Sequence, residues 1–164
     1  MSATERTAIR AATAADAVAV HTLITKLAKS IPSPQQLRSS SDDLARAMSG
    51  THPAIHALIA ERKQQAMGVL VYFMTFSTWY GTPGVYVQDI YVRKSARGEA
   101  LGRRLLAAVS KLGADQGADH LRLSVERDNA AAQAFYERLG LTRADHERIY
   151  MIEGDAFNKL KART

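Results

Sequence analysis

The residues best suited to chemistry lie in one stretch, VYVQDIYVRKSARGEALGRRLL, over 85–106. An apolar strand runs into a basic loop and then into a glycine-containing turn, Arg97-Gly98-Glu99-Ala100-Leu101-Gly102, that opens a helix. The first backbone N–H groups of a helix have no partner within it, and its dipole favours negative charge there, so this order builds an anion site. Leu105, Val109 and Leu112 give the helix its apolar face. Between Arg93 and Arg104, five cations (Arg93, Lys94, Arg97, Arg103 and Arg104) stand against Glu99 alone. Such a concentration suits a ligand with several phosphates. A P-loop would need Gly-Lys-Ser/Thr where Gly102 is followed by Arg103-Arg104, and a dinucleotide fingerprint would need G-x-G-x-x-G after an early strand. Neither pattern is met.

A second segment, Asp128-Asn129-Ala130-Ala131-Ala132-Gln133-Ala134-Phe135-Tyr136-Glu137-Arg138-Leu139-Gly140-Leu141, has the form of a helix capped by Asp128 or Asn129 and stopped by Gly140. Taken with R-G-E-A-L-G, this run resembles the GNAT superfamily of acyl-CoA-dependent N-acetyltransferases. The resemblance implies an α/β fold with a mixed central sheet of about six to seven strands flanked by helices. It implies that acetyl-CoA is the co-substrate, its pyrophosphate held at Arg97, Gly98, Glu99, Ala100, Leu101, Gly102 and Arg103, with Asn129 pointing into the same cleft or simply capping its helix. Backbone groups of Ile90, Tyr91 and Val92 are implied to pair with the pantetheine arm. The family motif Q/R-x-x-G-x-G/A reads Arg97-x-x-Ala100-x-Gly102 here, so its first glycine is an alanine. On a helical backbone that methyl weakens or shifts cofactor contacts at most.

Phe76-Ser77-Thr78-Trp79-Tyr80-Gly81, followed by Val85-Tyr86-Val87-Gln88-Asp89-Ile90-Tyr91-Val92, is similar to the diamine (spermidine/spermine) and thialysine acetyltransferase branch. That branch implies a homodimer and a small-molecule amine acceptor. It usually carries Glu-Asp where this chain has Gln88-Asp89.

Acetyl transfer to an amine needs an unprotonated nitrogen, a polarised thioester carbonyl and help for the departing thiolate. An alkylamine has a pKa near 10.4, so neutralising it at pH 7 costs roughly 4–5 kcal/mol. Tyr136 fills the tyrosine position of F-Y-x-x-x-G and is the candidate general acid to the thiolate; its plainer role is a core tyrosine beside Phe135. Gln88 can hydrogen-bond an acceptor or a water but cannot act as a base. The proton falls to Asp89, to Glu126 or to a water chain, and the sequence leaves the three open. Asp89 could equally be a strand-edge carboxylate paired with an arginine. Gln88 and Asp89 point to opposite strand faces unless a bulge intervenes. Trp79 suits the wall of an amine pocket, and core or dimer packing explains it as well. Phe73, Met74 and Phe76 have the strand spacing of core residues.

The rest of the chain must position these groups. Its 164 residues suit one domain, with 46% hydrophobic and 23% charged residues, as in ordinary globular proteins. There are no cysteines, so disulfides and thiol chemistry are excluded. No long apolar run or export signal is visible, which makes the cytoplasm the default and a membrane partner unexpected. The net charge of +6 is largely spent around the proposed phosphate turn, so nucleic acid is not expected as a partner. His52 and His56 flank Pro53 and do not form a ligand pair, so no metal is expected. Strands are expected over 7–10, 56–61, 67–77, 84–92, 120–125 and 148–153. Helices are expected over 13–29, 42–48, 102–116 and 129–139, with 154–161 either helical or frayed. The loop over 30–41 is rich in proline and serine and belongs with 79–83 to the acceptor side. Two other readings compete: a protein lysine or N-terminal acetyltransferase, and a non-catalytic acyl-CoA-binding regulatory module.

Overall fold

The computed structural model describes residues 6–31 and 36–162, so part of the proline/serine loop lies outside the described residues. The chain divides into two compact units, Met1–Ala130 and Ala131–Thr164.

The first unit is built on a five-stranded sheet in the order β1 (Ala8–Ala11), β2 (His56–Arg62), β3 (Gln65–Ser77), β4 (Thr82–Val92) and β5 (His120–Leu123). The first four strands pair antiparallel and β5 joins β4 in parallel. A parallel neighbour cannot be reached by a hairpin, and the crossover is α3 (Leu101–Ala114).

One face of the sheet carries α1 (Ala17–Ala28), whose Val20, Leu23 and Ile24 pack with Ala57, Ile59, Val69 and Val71. Asp16 accepts from the Thr13 backbone N–H at 2.8 Å and so caps the turn that leads into α1. α2 (Ser41–Ala47) starts on a second such box between Ser40 and Asp43, and Leu44 rests on the same core. The other face carries α3 through Leu101, Leu105, Leu106 and Val109. This helix comes so close to β4 that a Cβ at Gly113 would lie 2.4 Å from Val85 Cγ2, so only glycine fits there.

The second unit contains most of α4 (Ala130–Arg138) and all of α5 (Gly154–Lys161), so the terminal segment is helical. Gly140 adopts φ 90°, and the Leu141 N–H returns to the Tyr136 carbonyl at 3.1 Å, the glycine stop expected for α4.

The strand count corrects the expected six to seven: five form among the described residues. Residues 148–153 are irregular, not a strand. Their apolar run is preceded by a local turn that satisfies its own carbonyls. Glu147 N–H donates to Ala144 O at 3.0 Å, and Arg148 Nη1 donates to the carbonyls of Asp145 and Glu147 at 3.1 Å each. Strand β5 also stops at Leu123, two residues short of the expected end.

Candidate active site

The site hangs on β4, which changes partners along its length. Gly84–Val87 pair with β5 on one side, and from Gln88 onward no strand of the first unit takes that edge. On the other side β3 pairs with β4 throughout. Arg93 N–H bonds Met67 O at 2.8 Å in the same register. Antiparallel pairs alternate, so Asp89 and Tyr91 direct their N–H and C=O toward β3 while Ile90 and Val92 direct theirs to the open edge. Two residues with outward backbone groups, two positions apart, can hold an extended amide-bearing chain as a further strand would.

Immediately beyond lies the turn. Ala96 and Leu101 are 0% and 1% exposed and fix it to the core. Gly98 takes φ 88°, a conformation that glycine adopts without cost. The first bond of α3 runs from Arg104 N–H to Ala100 O at 3.0 Å, leaving the N–H groups of Leu101, Gly102 and Arg103 without an intrahelical acceptor. N–H groups left open at a helix start can receive an anion.

The five cations of this region divide by role. Arg93 Nε donates to Ala66 O, and Arg104 Nη2 to Thr7 O, each at 2.6 Å, so both brace the backbone. The side chains of Lys94, Arg97 and Arg103 are exposed and make no hydrogen bond or ion pair with another described residue. Glu99 turns its carboxylate away, accepting from Arg62 Nη1 at 2.8 Å and from Thr7 Oγ1 at 3.4 Å. Among the described residues the turn therefore presents three cations without a partner, and its one acid is already matched.

A bulge sits upstream. Val87 faces Tyr72 and Asp89 faces Val71, so Gln88 is an extra residue on β4. Cross-strand partners share a face, so Val87 lies on the α3 face and Asp89 on the α1 face with Val71. Gln88 is exposed. Asp89 is half-buried, no hydrogen bond or ion pair joins it to another described residue, and burial pushes its pKa above the ordinary carboxylate range. The sequence did signal the bulge. Apolar residues alternate at Val85 and Val87, then resume out of phase at Ile90 and Val92, and all four lie on the α3 face. The same shift leaves Tyr91 packed against the α1 core.

The sequence profile of the Acetyltransferase (GNAT) family matches residues 22–141. The chain belongs to the GNAT acetyltransferase family. The thialysine N-epsilon-acetyltransferase of Bos taurus is 31% identical to it, the alignment covering 93% of this chain and 95% of that protein. Among solved structures, an integron cassette protein from the mobile metagenome of V. cholerae has a TM-score of 0.79 at 21% identity, covering 94% of this chain and 97% of that one. An aminoglycoside N-acetyltransferase in complex with CoA has a TM-score of 0.67 at 19% identity over 90% of this chain and 98% of its own. At those identities the two structures share the GNAT fold.

As a GNAT protein, the chain is an N-acetyltransferase, and one feature of its turn corrects the reading of the sequence. The expectation for Ala100 was helical backbone, on which its methyl would at most weaken or shift cofactor contacts. It sits instead in the left-handed region, at φ 55° and ψ 21°, as the residue before α3. A Cβ there crowds the following carbonyl. Tyr136 lies within α4, its ring edge-on to Phe135 at 5.2 Å, and Asn129 immediately precedes that helix. Trp79 is 95% exposed at the β3–β4 connection, so it is not a core residue, and roughly 20 Å of strand separates it from Asp89. Phe76 is exposed too, and Phe73 and Met74 are half-buried rather than core. Among the described residues, no group of three or more His, Cys, Asp or Glu comes together as a metal site would need, and no helix is long and apolar enough to cross a membrane.

Proposed function

We propose that this GNAT enzyme transfers the acetyl group of acetyl-CoA to the primary amine of a small molecule by direct attack. The carrying observation is that β4 leaves β5 at Val87 and leads, with its edge open, straight into a helix start ringed by three unpaired cations. That layout fits a molecule with an amide-bearing arm at one end and phosphates at the other. Leu101, Gly102 and Arg103 would receive the pyrophosphate on their N–H groups, with Lys94, Arg97 and Arg103 screening its charge. Ile90 and Val92 would pair with the arm.

Bound acetyl-CoA supplies the thioester; the amine nitrogen bonds to its carbonyl carbon as the carbon–sulfur bond breaks. Asp89 receives the proton that the ammonium must lose, directly or through one water. Its partial desolvation suits this role, because a carboxylate with a raised pKa is a stronger base than a solvated one. Gln88 offers a hydrogen bond only. Tyr136 gives its phenolic proton to the departing sulfur. The small-amine reading is supported by the thialysine acetyltransferase of Bos taurus, aligned over nearly the whole chain. The family match runs over 22–141 and so reaches into the second unit, which supports reading the chain as a single N-acetyltransferase domain. A homodimer and a cytoplasmic setting belong to the same reading.

Calorimetric titration with CoA, followed by thiol release over a panel of lysine analogues, diamines and aminoglycosides, tests the proposal. Binding with turnover on one amine class is expected. No binding of CoA overturns the reading, and binding without turnover on any amine overturns its catalytic half.

A further inference from the structure

The bulge at Gln88 does more than turn Asp89 toward the α1 face. Tyr86 and Asp89 are three residues apart and on an unbroken strand would point to opposite sides. With Gln88 inserted they share one. Tyr86 faces Phe73 across the ladder, and Phe73 is two residues beyond Val71, the partner of Asp89. Two steps of strand put the carboxylate and this aromatic pair roughly 7 Å apart on the same surface. The rings of Phe73 and Tyr86 stack with centroids 5.0 Å apart and planes 25° from parallel. Tyr86 is held by a 2.8 Å hydrogen bond between its hydroxyl and Ser124 Oγ. Both rings are half-buried, and neither belongs to the core that α1 makes with Val69 and Val71.

We infer that the Phe73–Tyr86 stack, set beside Asp89 by the Gln88 bulge, is the platform for the hydrocarbon stem of the acceptor amine. This rests on the acetyl-transfer reading and names the chemistry its acceptor must have. An unpaired carboxylate next to two π faces is complementary to an ammonium on an alkyl stem: the charge meets Asp89 and the methylenes cover the rings. It is a poor match for an aminosugar, whose hydroxyls would lose water against the aromatic surface without hydrogen-bond partners. Trp79, about 20 Å along the strand, is beyond the reach of a small acceptor held at Asp89 in the same chain.

The test compares the KM of an α,ω-alkyldiamine or ω-amino acid with that of an aminoglycoside in the wild type, Phe73→Leu, Tyr86→Leu and Tyr86→Phe. Calorimetric Kd for CoA and Tm are measured beside each. In the wild type the stemmed amine is expected to have the lower KM. Phe73→Leu and Tyr86→Leu should raise that KM about five- to tenfold while kcat and the CoA Kd stay near wild type. Tyr86→Phe keeps the ring and should restore most of the affinity, which a merely structural role of the hydroxyl would not allow. A stemmed-amine KM unmoved by either leucine variant overturns the inference, as does an aminoglycoside preferred by the wild type. If a leucine variant melts early, Tyr86→Phe and the acceptor comparison in the wild type still decide it. No turnover on any amine, with CoA bound, removes the acetyl-transfer reading instead.

Discussion

The proposed phosphate turn and the proposed acceptor wall hang on the same strand, yet they are made of different material. The turn works through main chain: N–H groups that a helix start must leave open, on a loop shaped by Gly98 and braced by Arg93 and Arg104. The wall works through side chains, and which side chains share it is decided by one inserted residue, Gln88. A site built from backbone tolerates substitution of its side chains. A site built from register depends on the count of residues, and each member is then irreplaceable by its neighbour. Variants on the wall should therefore cost chemistry and leave CoA alone, and variants in the turn should weaken CoA only modestly and leave chemistry alone.

Asp89→Asn is the sharpest way to break that division. If Asp89 takes the amine proton, kcat/KM should fall by roughly 10²–10³-fold with the CoA Kd unchanged. The pH profile carries a second check. Burial raises the folded pKa of Asp89, so the group favours the folded state most at pH below its ordinary value, and that contribution is lost as pH rises through the raised folded value. At neutral pH the ionised carboxylate is therefore a cost to stability. The asparagine variant should melt higher than the wild type near pH 7, and that advantage should vanish in acid. The acid limb of kcat/KM in the wild type should lie above the position an ordinary aspartate would give. A variant that loses activity and also melts lower would show that Asp89 is structural.

Tyr136→Phe comes next, with a fall of about 10²-fold in kcat, because a thiolate is a fair leaving group and needs only modest help. The effect should shrink for an acyl donor with a more acidic thiol. An unchanged kcat would return Tyr136 to the role of a helix residue set edge-on to Phe135.

How much of this was open to inspection in the chain itself follows the same division. Arg97, Gly98 and Gly102 stand at fixed offsets, and a helix start is a local event, so the turn could be read directly. The α3 face followed from spacing for the same reason. The sequence left Asp89, Glu126 and a water chain open as the proton acceptor, because the surroundings of Asp89 depend on pairing with β3, more than ten residues away. The phase slip from Val85 and Val87 to Ile90 and Val92 was present and marks the bulge. Five cations looked equivalent as a charge run; only distances separate the braces Arg93 and Arg104 from the unpaired Lys94, Arg97 and Arg103. The apolar run before α5 has strand composition, but a ladder needs a neighbour, and the local turn at Ala144–Glu147 took the preceding hydrogen bonds instead.

That separation of cations predicts different phenotypes for residues of one type. Arg97→Ala and Arg103→Ala should each weaken CoA several-fold, by about 1 kcal/mol, and flatten the salt dependence of binding, with the amine KM unmoved. Arg104→Ala should instead lower Tm, because Thr7 O, which belongs to a residue only 3% exposed, loses its donor. If Arg93 or Arg104 proves as important to CoA affinity as Arg97, the division between braces and screens fails.

The smallest expected effect lies at Ala100, where turn and sequence disagree. A left-handed alanine costs roughly 1 kcal/mol relative to an unstrained residue, and glycine carries no such penalty at φ 55°. Glycine also gives the unfolded chain more freedom, which offsets part of the gain. Ala100→Gly should thus be mildly stabilising, raising Tm by about 1–3 °C. The conformation is held by neighbours on both sides: Leu101 is buried in the core, and Glu99 is tied to Arg62 and Thr7. The orientation of the N–H groups of Leu101, Gly102 and Arg103 should therefore survive the change, and with it the affinity for CoA. A Kd that tightened several-fold in the glycine variant would mean that the left-handed turn is assembled only when phosphate arrives, and the turn would then resemble the wall in depending on a single side chain.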